Sequence, residues 1–80
     1  MIRFHLKKMI EETEFQRGTR IRIEDIARET GIHRTTLSKL NNIRGYNVTT
    51  DIIDKLCCFF GCNIEKIAEY VPDDTVAKPD

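Results

Sequence analysis

Apolar residues recur along the chain at three- and four-residue spacing, and turn signals cut that pattern into five helical segments. Ile2 to Thr13 carries Ile2, Leu6, Met9 and Ile10 on one face and Arg3, Lys7, Lys8, Glu11 and Glu12 on the other, which predicts an amphipathic helix. Phe15 to Arg22 breaks the period, and Arg17-Gly18-Thr19-Arg20 reads as a turn. A second helix is predicted over Ile23 to Glu29, with Ile26 and Ala27 inward and Glu24 and Asp25 in the opening turn, where unpaired N–H groups favour carboxylates. Thr30-Gly31 ends it, because glycine enters the left-handed region without a Cβ penalty. A third helix from about His33 to Leu40 follows, with Ile32, Leu37 and Leu40 inward and Arg34, Thr35, Ser38 and Lys39 outward. After a turn over Ile43 to Val48, the hydroxyls of Thr49 and Thr50 offer caps for a fourth helix to Phe60, with Ile53, Leu56, Cys57 and Phe60 as its stripe. Gly61 ends that helix, and Ile64 to Tyr70 reads as a fifth, packing through Ile67, Ala68 and Val71.

The spacing around Gly31 is more specific than the composition. Ala27, four residues before it, lets two helices cross closely, and Leu37, six after, wedges the following helix onto the core. That is the geometry of a helix-turn-helix. The segment E-D-I-A-R-E-T-G-I-H-R-T-T-L-S-K-L resembles the phage repressor and Cro type of this motif, the Xre family, through Ile26, Ala27, Gly31, Ile32, Leu37, Ser38 and Leu40. His33 departs from the Ser or Thr cap frequent there. The run D-K-L-C-C-F-F-G-C-N-I-E-K-I-A-E-Y-V-P is similar to the closing helices of small single-domain Xre-type transcriptional regulators, with Lys66 where an Asp is frequent.

This resemblance spans Ile2 to Pro72 and implies an all-α, five-helix, lambda-repressor-like DNA-binding domain over residues 1–72. Residues 73–80 carry no apolar stripe and read as a disordered C-terminal tail. The implied partner is double-stranded DNA, with the third helix in the major groove. Arg34, Thr35, Lys39 and Ser38 are then the candidates for base edges, Arg34 and Lys39 suiting the O6 and N7 acceptors of guanine. Candidates for phosphates are Thr36 near the helix start, Asn42 and Arg44 in the following loop, and Arg20 and Arg22 ahead of the second helix. So few base contacts specify too short a site, so the resemblance also implies a homodimer, at least on DNA, on half-sites ~34 Å apart. Phe59, Tyr70 and Val71, or the loop around Tyr46, are the candidate surfaces for self-association.

Charge changes this picture only through its distribution. The chain of 80 residues has a formal net charge of zero, which alone argues against a polyanionic partner. Residues 1–48, however, hold 10 basic and 6 acidic side chains, and residues 49–80 hold 3 and 7, so that halves of +4 and −4 result and the surplus coincides with the motif. An alternative from another functional class is a protein-interaction module, such as an antitoxin-like partner, built on the same fold. Such a module is expected to carry apolar or acidic residues on the exposed face of the third helix, where this chain has Arg34, Thr35, Ser38 and Lys39.

Other chemistry finds little support. Cys57, Cys58 and Cys62 lack the paired spacing and the fourth ligand of a zinc site, and Cys57 and Cys62 read as small core hydrophobes with Cys58 exposed. His5 and His33 are not spaced to complete a metal set, and His5 reads as a surface residue. No nucleophile, phosphate loop or carboxylate pair suggests an enzyme, and no cofactor or small-molecule site is evident. No apolar run approaches the ~20 residues that span a bilayer, nor is there a secretion signal, so a cytoplasmic protein is expected.

Overall fold

The computed structural model describes residues 1–72, so the expected tail over 73–80 lies outside the described residues. The element order is β1 (Ile2–Phe4), α1 (Leu6–Arg17), α2 (Ile23–Thr30), α3 (Arg34–Asn42), α4 (Thr50–Phe60), α5 (Ile64–Ile67) and β2 (Ala68–Tyr70). This is the all-α, lambda-repressor-like arrangement of five helices, with one minor two-stranded element added.

That added element corrects both ends of the helical reading. Ile2 to Phe4 is a strand rather than the first turn of a helix, and Ala68 to Tyr70 is a strand rather than the last turn of α5. The two pair antiparallel, Ile2 opposite Tyr70, Arg3 opposite Glu69 and Phe4 opposite Ala68. Flanking bonds extend the ladder: His5 N–H donates to the Ile67 carbonyl at 2.7 Å, and Val71 N–H to the Met1 carbonyl at 2.8 Å. Backbone groups of these two segments thus satisfy each other across the ladder. His5 is partly exposed and its Nε2 lies 2.6 Å from Glu69 Oε1 on the neighbouring strand.

Helix α1 begins four residues later than the spacing suggested and runs on through Phe15 and Arg17. Gly18, at φ 68°, ends it in the left-handed region, and its N–H donates to the Glu14 carbonyl. Arg17 is structural, because its guanidinium donates to the Phe59 carbonyl at 3.2 Å and sits over the Phe59 ring, fastening α1 to α4. The turn that follows is tied down by Ile21 N–H donating to the Glu14 carboxylate at 2.8 Å.

The core gathers side chains from every helix. Leu6 and Met9 come from α1, Ile26 from α2, Leu37 and Leu40 from α3, Leu56 and Phe60 from α4 and Ile67 from α5, with Ile21 and Ile32 supplied by the connections. On α4 the residue packed against the core is Ile52 rather than Ile53, which is half-buried, and the helix starts from a Thr49 hydroxyl cap, Ile52 N–H donating to Thr49 Oγ1. Phe59 and Tyr46, considered as surfaces for self-association, are half-buried against this core. The three cysteines are free thiols, Cys58 exposed and Cys57 and Cys62 half-buried. Burial pushes the thiols of Cys57 and Cys62 above the ordinary value, which suits them to packing. Among the described residues no helix is long and apolar enough to cross a membrane.

Leu37 has no exposed surface, so Leu37→Ala leaves a cavity between α3 and the rest of the core. A loss of roughly 2–5 kcal/mol is expected, a large share of a small domain's stability, and chemical denaturation monitored by circular dichroism measures it.

Candidate nucleic-acid interface

The corner between α2 and α3 is built by local chemistry that leaves little freedom. Gly31 stands at φ 78° and its N–H donates to the Ala27 carbonyl at 2.9 Å, closing α2. The Thr30 hydroxyl donates to the Ile26 carbonyl at 2.6 Å and accepts from Ile32 N–H at 3.1 Å, so one side chain spans the turn. At the start of α2, the Asp25 carboxylate accepts from the backbone N–H of Arg22 at 3.0 Å and from the Arg28 guanidinium at 3.0 Å. The Arg22 hydrogen bond above all, and then the Arg28 guanidinium, holds the Asp25 carboxyl below the usual carboxylate value.

Helix α3 begins one residue after His33, which is its cap. The His33 ring accepts the Thr35 N–H through Nδ1 at 3.1 Å, doing what a Ser or Thr oxygen does at the start of a helix. Leu37 and Leu40 are buried on the inner side, and this burial sets the rotation of the helix. Its outer side therefore presents Arg34, Thr35, Ser38 and Lys39, all exposed.

These four candidates for base edges line one shallow depression, together with Ile23, Glu24 and Asn41. Lys39 is steadied within it, its ammonium 6.0 Å from the centroid of the Tyr46 ring, within reach of a cation–π attraction. The Asn42 amide donates to the Ser38 carbonyl at 2.9 Å and to Ser38 Oγ at 3.3 Å, so Asn42 turns back along the helix and orients the Ser38 hydroxyl.

The other candidates are dispersed. Thr36 is half-buried and does not line the depression. Arg22 is exposed at the mouth of α2, next in the chain to Ile23, whereas Arg20 lines a separate depression with Glu14, Gly18 and Thr19. Arg44 lies in the loop after α3, on a further depression that also takes in Asn42 and Arg3.

Three residues on these surfaces escaped the sequence reading. Asn41 lies seven positions after Arg34 and three after Ser38, a spacing that places it on their face of the helix and could have revealed it. Glu24 was understood only as a complement to the helix dipole, yet it also faces the depression, where a carboxylate can accept from the N4 amine of cytosine. Arg3 had no local signal, because only the pairing of β1 with β2 brings it near α3.

His33→Ala removes the acceptor for Thr35 N–H at the start of the exposed helix. A destabilisation of about 0.5–2 kcal/mol is expected, with recovery in His33→Ser, and thermal unfolding of the two variants side by side measures both.

A family model for the Cro/C1-type HTH DNA-binding domain matches residues 5–73. No curated protein and no solved structure matches the chain.

Proposed function

The chain belongs to the Cro/C1-type helix-turn-helix DNA-binding family, and on that premise we propose that it is a sequence-specific regulator of bacterial or phage transcription that lays α3 in the major groove. The observation that carries this reading is the single depression shared by Arg34, Thr35, Ser38 and Lys39 on the exposed side of α3. Four polar side chains with donors and acceptors on one face of a helix fit the width of the major groove and the pattern of base edges there.

In this reading Arg34 takes a guanine through O6 and N7, Lys39 a second acceptor nearby, and Thr35 a hydroxyl or methyl contact. Ser38 reads a base edge with its hydroxyl aimed by Asn42, whose own amide is occupied by that task. Asn41 joins them as a further reader, since an amide suits adenine N6 and N7. Arg22 and Arg44 flank the helix as phosphate contacts, with Thr36 behind them; Arg20, farther off beside Glu14, contributes a longer-range field.

Two such helices read a site long enough to stand out in a genome, so we further propose a homodimer on DNA. Tyr70 is 68% exposed and its cross-strand neighbour Ile2 43%, an apolar pair on the ribbon that supports self-association there better than the half-buried Phe59 or Tyr46. A protein-interaction role for the same fold would draw instead on Phe15, which is 89% exposed on α1, and it predicts that no duplex is selected.

The test is selection of duplexes from a random pool by the purified chain, followed by binding measurements on the selected site. Arg34→Ala is expected to cost ~1–3 kcal/mol on that site and far less on random sequence. Equal losses on both would make Arg34 a phosphate contact. Stoichiometry on the same duplex checks the assembly: two protomers per full site are expected, and saturation by one protomer would rule the dimer out.

A further inference from the structure

We propose that the groove between β1 and the loop after α3 binds a DNA backbone phosphate, with Arg3 and Arg44 as its two cations, so that the terminal ribbon extends the DNA footprint past the end of α3. This rests on the DNA-binding reading above and adds to it a residue, Arg3, that precedes the segment matched by the family, residues 5–73.

Arg3 and Arg44 line the same groove from two segments distant in the chain. Phe4, Leu40, Ile43 and Val71 contribute apolar lining, and low-dielectric walls strengthen the field of a charged side chain toward an anion. Among the described residues no acidic side chain lines it. The nearest carboxylate by strand register is Glu69, directly opposite Arg3, and its Oε1 is held 2.6 Å from His5 Nε2. Among the described residues neither Arg3 nor Arg44 forms an ion pair, whereas Arg28 and Lys55 are each paired with an aspartate. Two exposed guanidinium groups on one groove, neither with a carboxylate partner among the described residues, are the donors that suit a phosphate.

Position makes the phosphate that of DNA. Asn41 lines both this groove and the depression that holds Arg34, Thr35, Ser38 and Lys39, so the two surfaces meet along the last turn of α3. A duplex whose major groove receives α3 carries its sugar–phosphate strand past the helix end, where the two arginines wait. The loop lies close to the start of the chain there, a Cβ built at Gly45 falling 3.4 Å from the Met1 side chain, so the segments that carry Arg3 and Arg44 approach each other.

The test measures binding of the full chain to the selected duplex and to a random-sequence duplex over a series of salt concentrations. Arg3→Gln is expected to weaken both by the same factor and to lower the slope of log affinity against log salt by about one, as loss of one phosphate contact does. Arg3→Gln with Arg44→Gln is expected to lower it by about two. Arg3→Lys keeps the charge and restores the slope, which a merely structural role for Arg3 would not produce, and Lys55→Gln on α4 leaves it unchanged. A wild-type slope in Arg3→Gln overturns the inference, and so does a loss confined to the selected duplex, which would make Arg3 a base reader. Failure of the wild-type chain to bind any duplex overturns the DNA-binding reading itself, a result distinct from either.

Discussion

The burial of Leu37 is the constraint on which the exposed face of α3 depends. A helix of nine residues is too short to hold its shape alone in water, and α3 is exposed along most of its surface. Leu37 and Leu40 pin its inner side to a core shared with Ile26, Leu56 and Ile67, and that anchorage decides which residues face outward. Rotating α3 by one residue would turn Ser38 inward and carry Leu37 into solvent, so the presentation of Arg34, Thr35, Ser38 and Lys39 is a consequence of packing. Gly31 and the Thr30 hydroxyl then fix how the chain enters the helix, and the Tyr46 ring and the Asn42 amide steady two side chains on its face.

Charge follows the same economy. A net charge of zero conceals which side chains are spent internally. Glu14 accepts from Ile21 N–H, Asp25 from Arg22 N–H and Arg28, and Glu69 meets His5. These carboxylates are occupied in holding turns, helix starts and strands, while Arg34 and Lys39 are exposed on one depression and Arg3 and Arg44 on a second that shares Asn41 with it. A surface that attracts a polyanion therefore requires no net excess of basic residues over the whole chain, since charge acts through its distribution.

Helices α2, α3 and α4 were legible in the sequence because each carries its own start and stop: acids at the mouth of α2, Gly31 after it, Thr49 before α4 and Gly61 behind it. The four residues on the exposed face of α3 were legible for the same local reason. What escaped was non-local. Ile2, Leu6, Met9 and Ile10 have helical spacing, yet Ile2 is paired with Tyr70, a partner that no window of neighbouring residues contains. The same pairing shortened α5 to four residues and carried Arg3 to the groove beside Arg44. Phe15 and Arg17 seemed to break the period because they lie on exposed turns of α1, one nearly bare and the other bound to Phe59. Ile53 was preferred to Ile52 because their spacings from Leu56 are equally helical, and only the packing of α4 against the other helices distinguishes them.

The ribbon that joins Ile2–Phe4 to Ala68–Tyr70 also orders events in time. Its ladder closes the longest loop available within the described chain, the contact with the greatest entropic cost, while the α2–α3 corner forms among residues close in sequence. During synthesis the first strand leaves the ribosome early and has no partner until Tyr70 has emerged, by which point all of the helices have been made. The N-terminal segment is thus the first part of the domain to be translated and the last to find its place, and the groove that contains Arg3 comes into being only when the fold is complete.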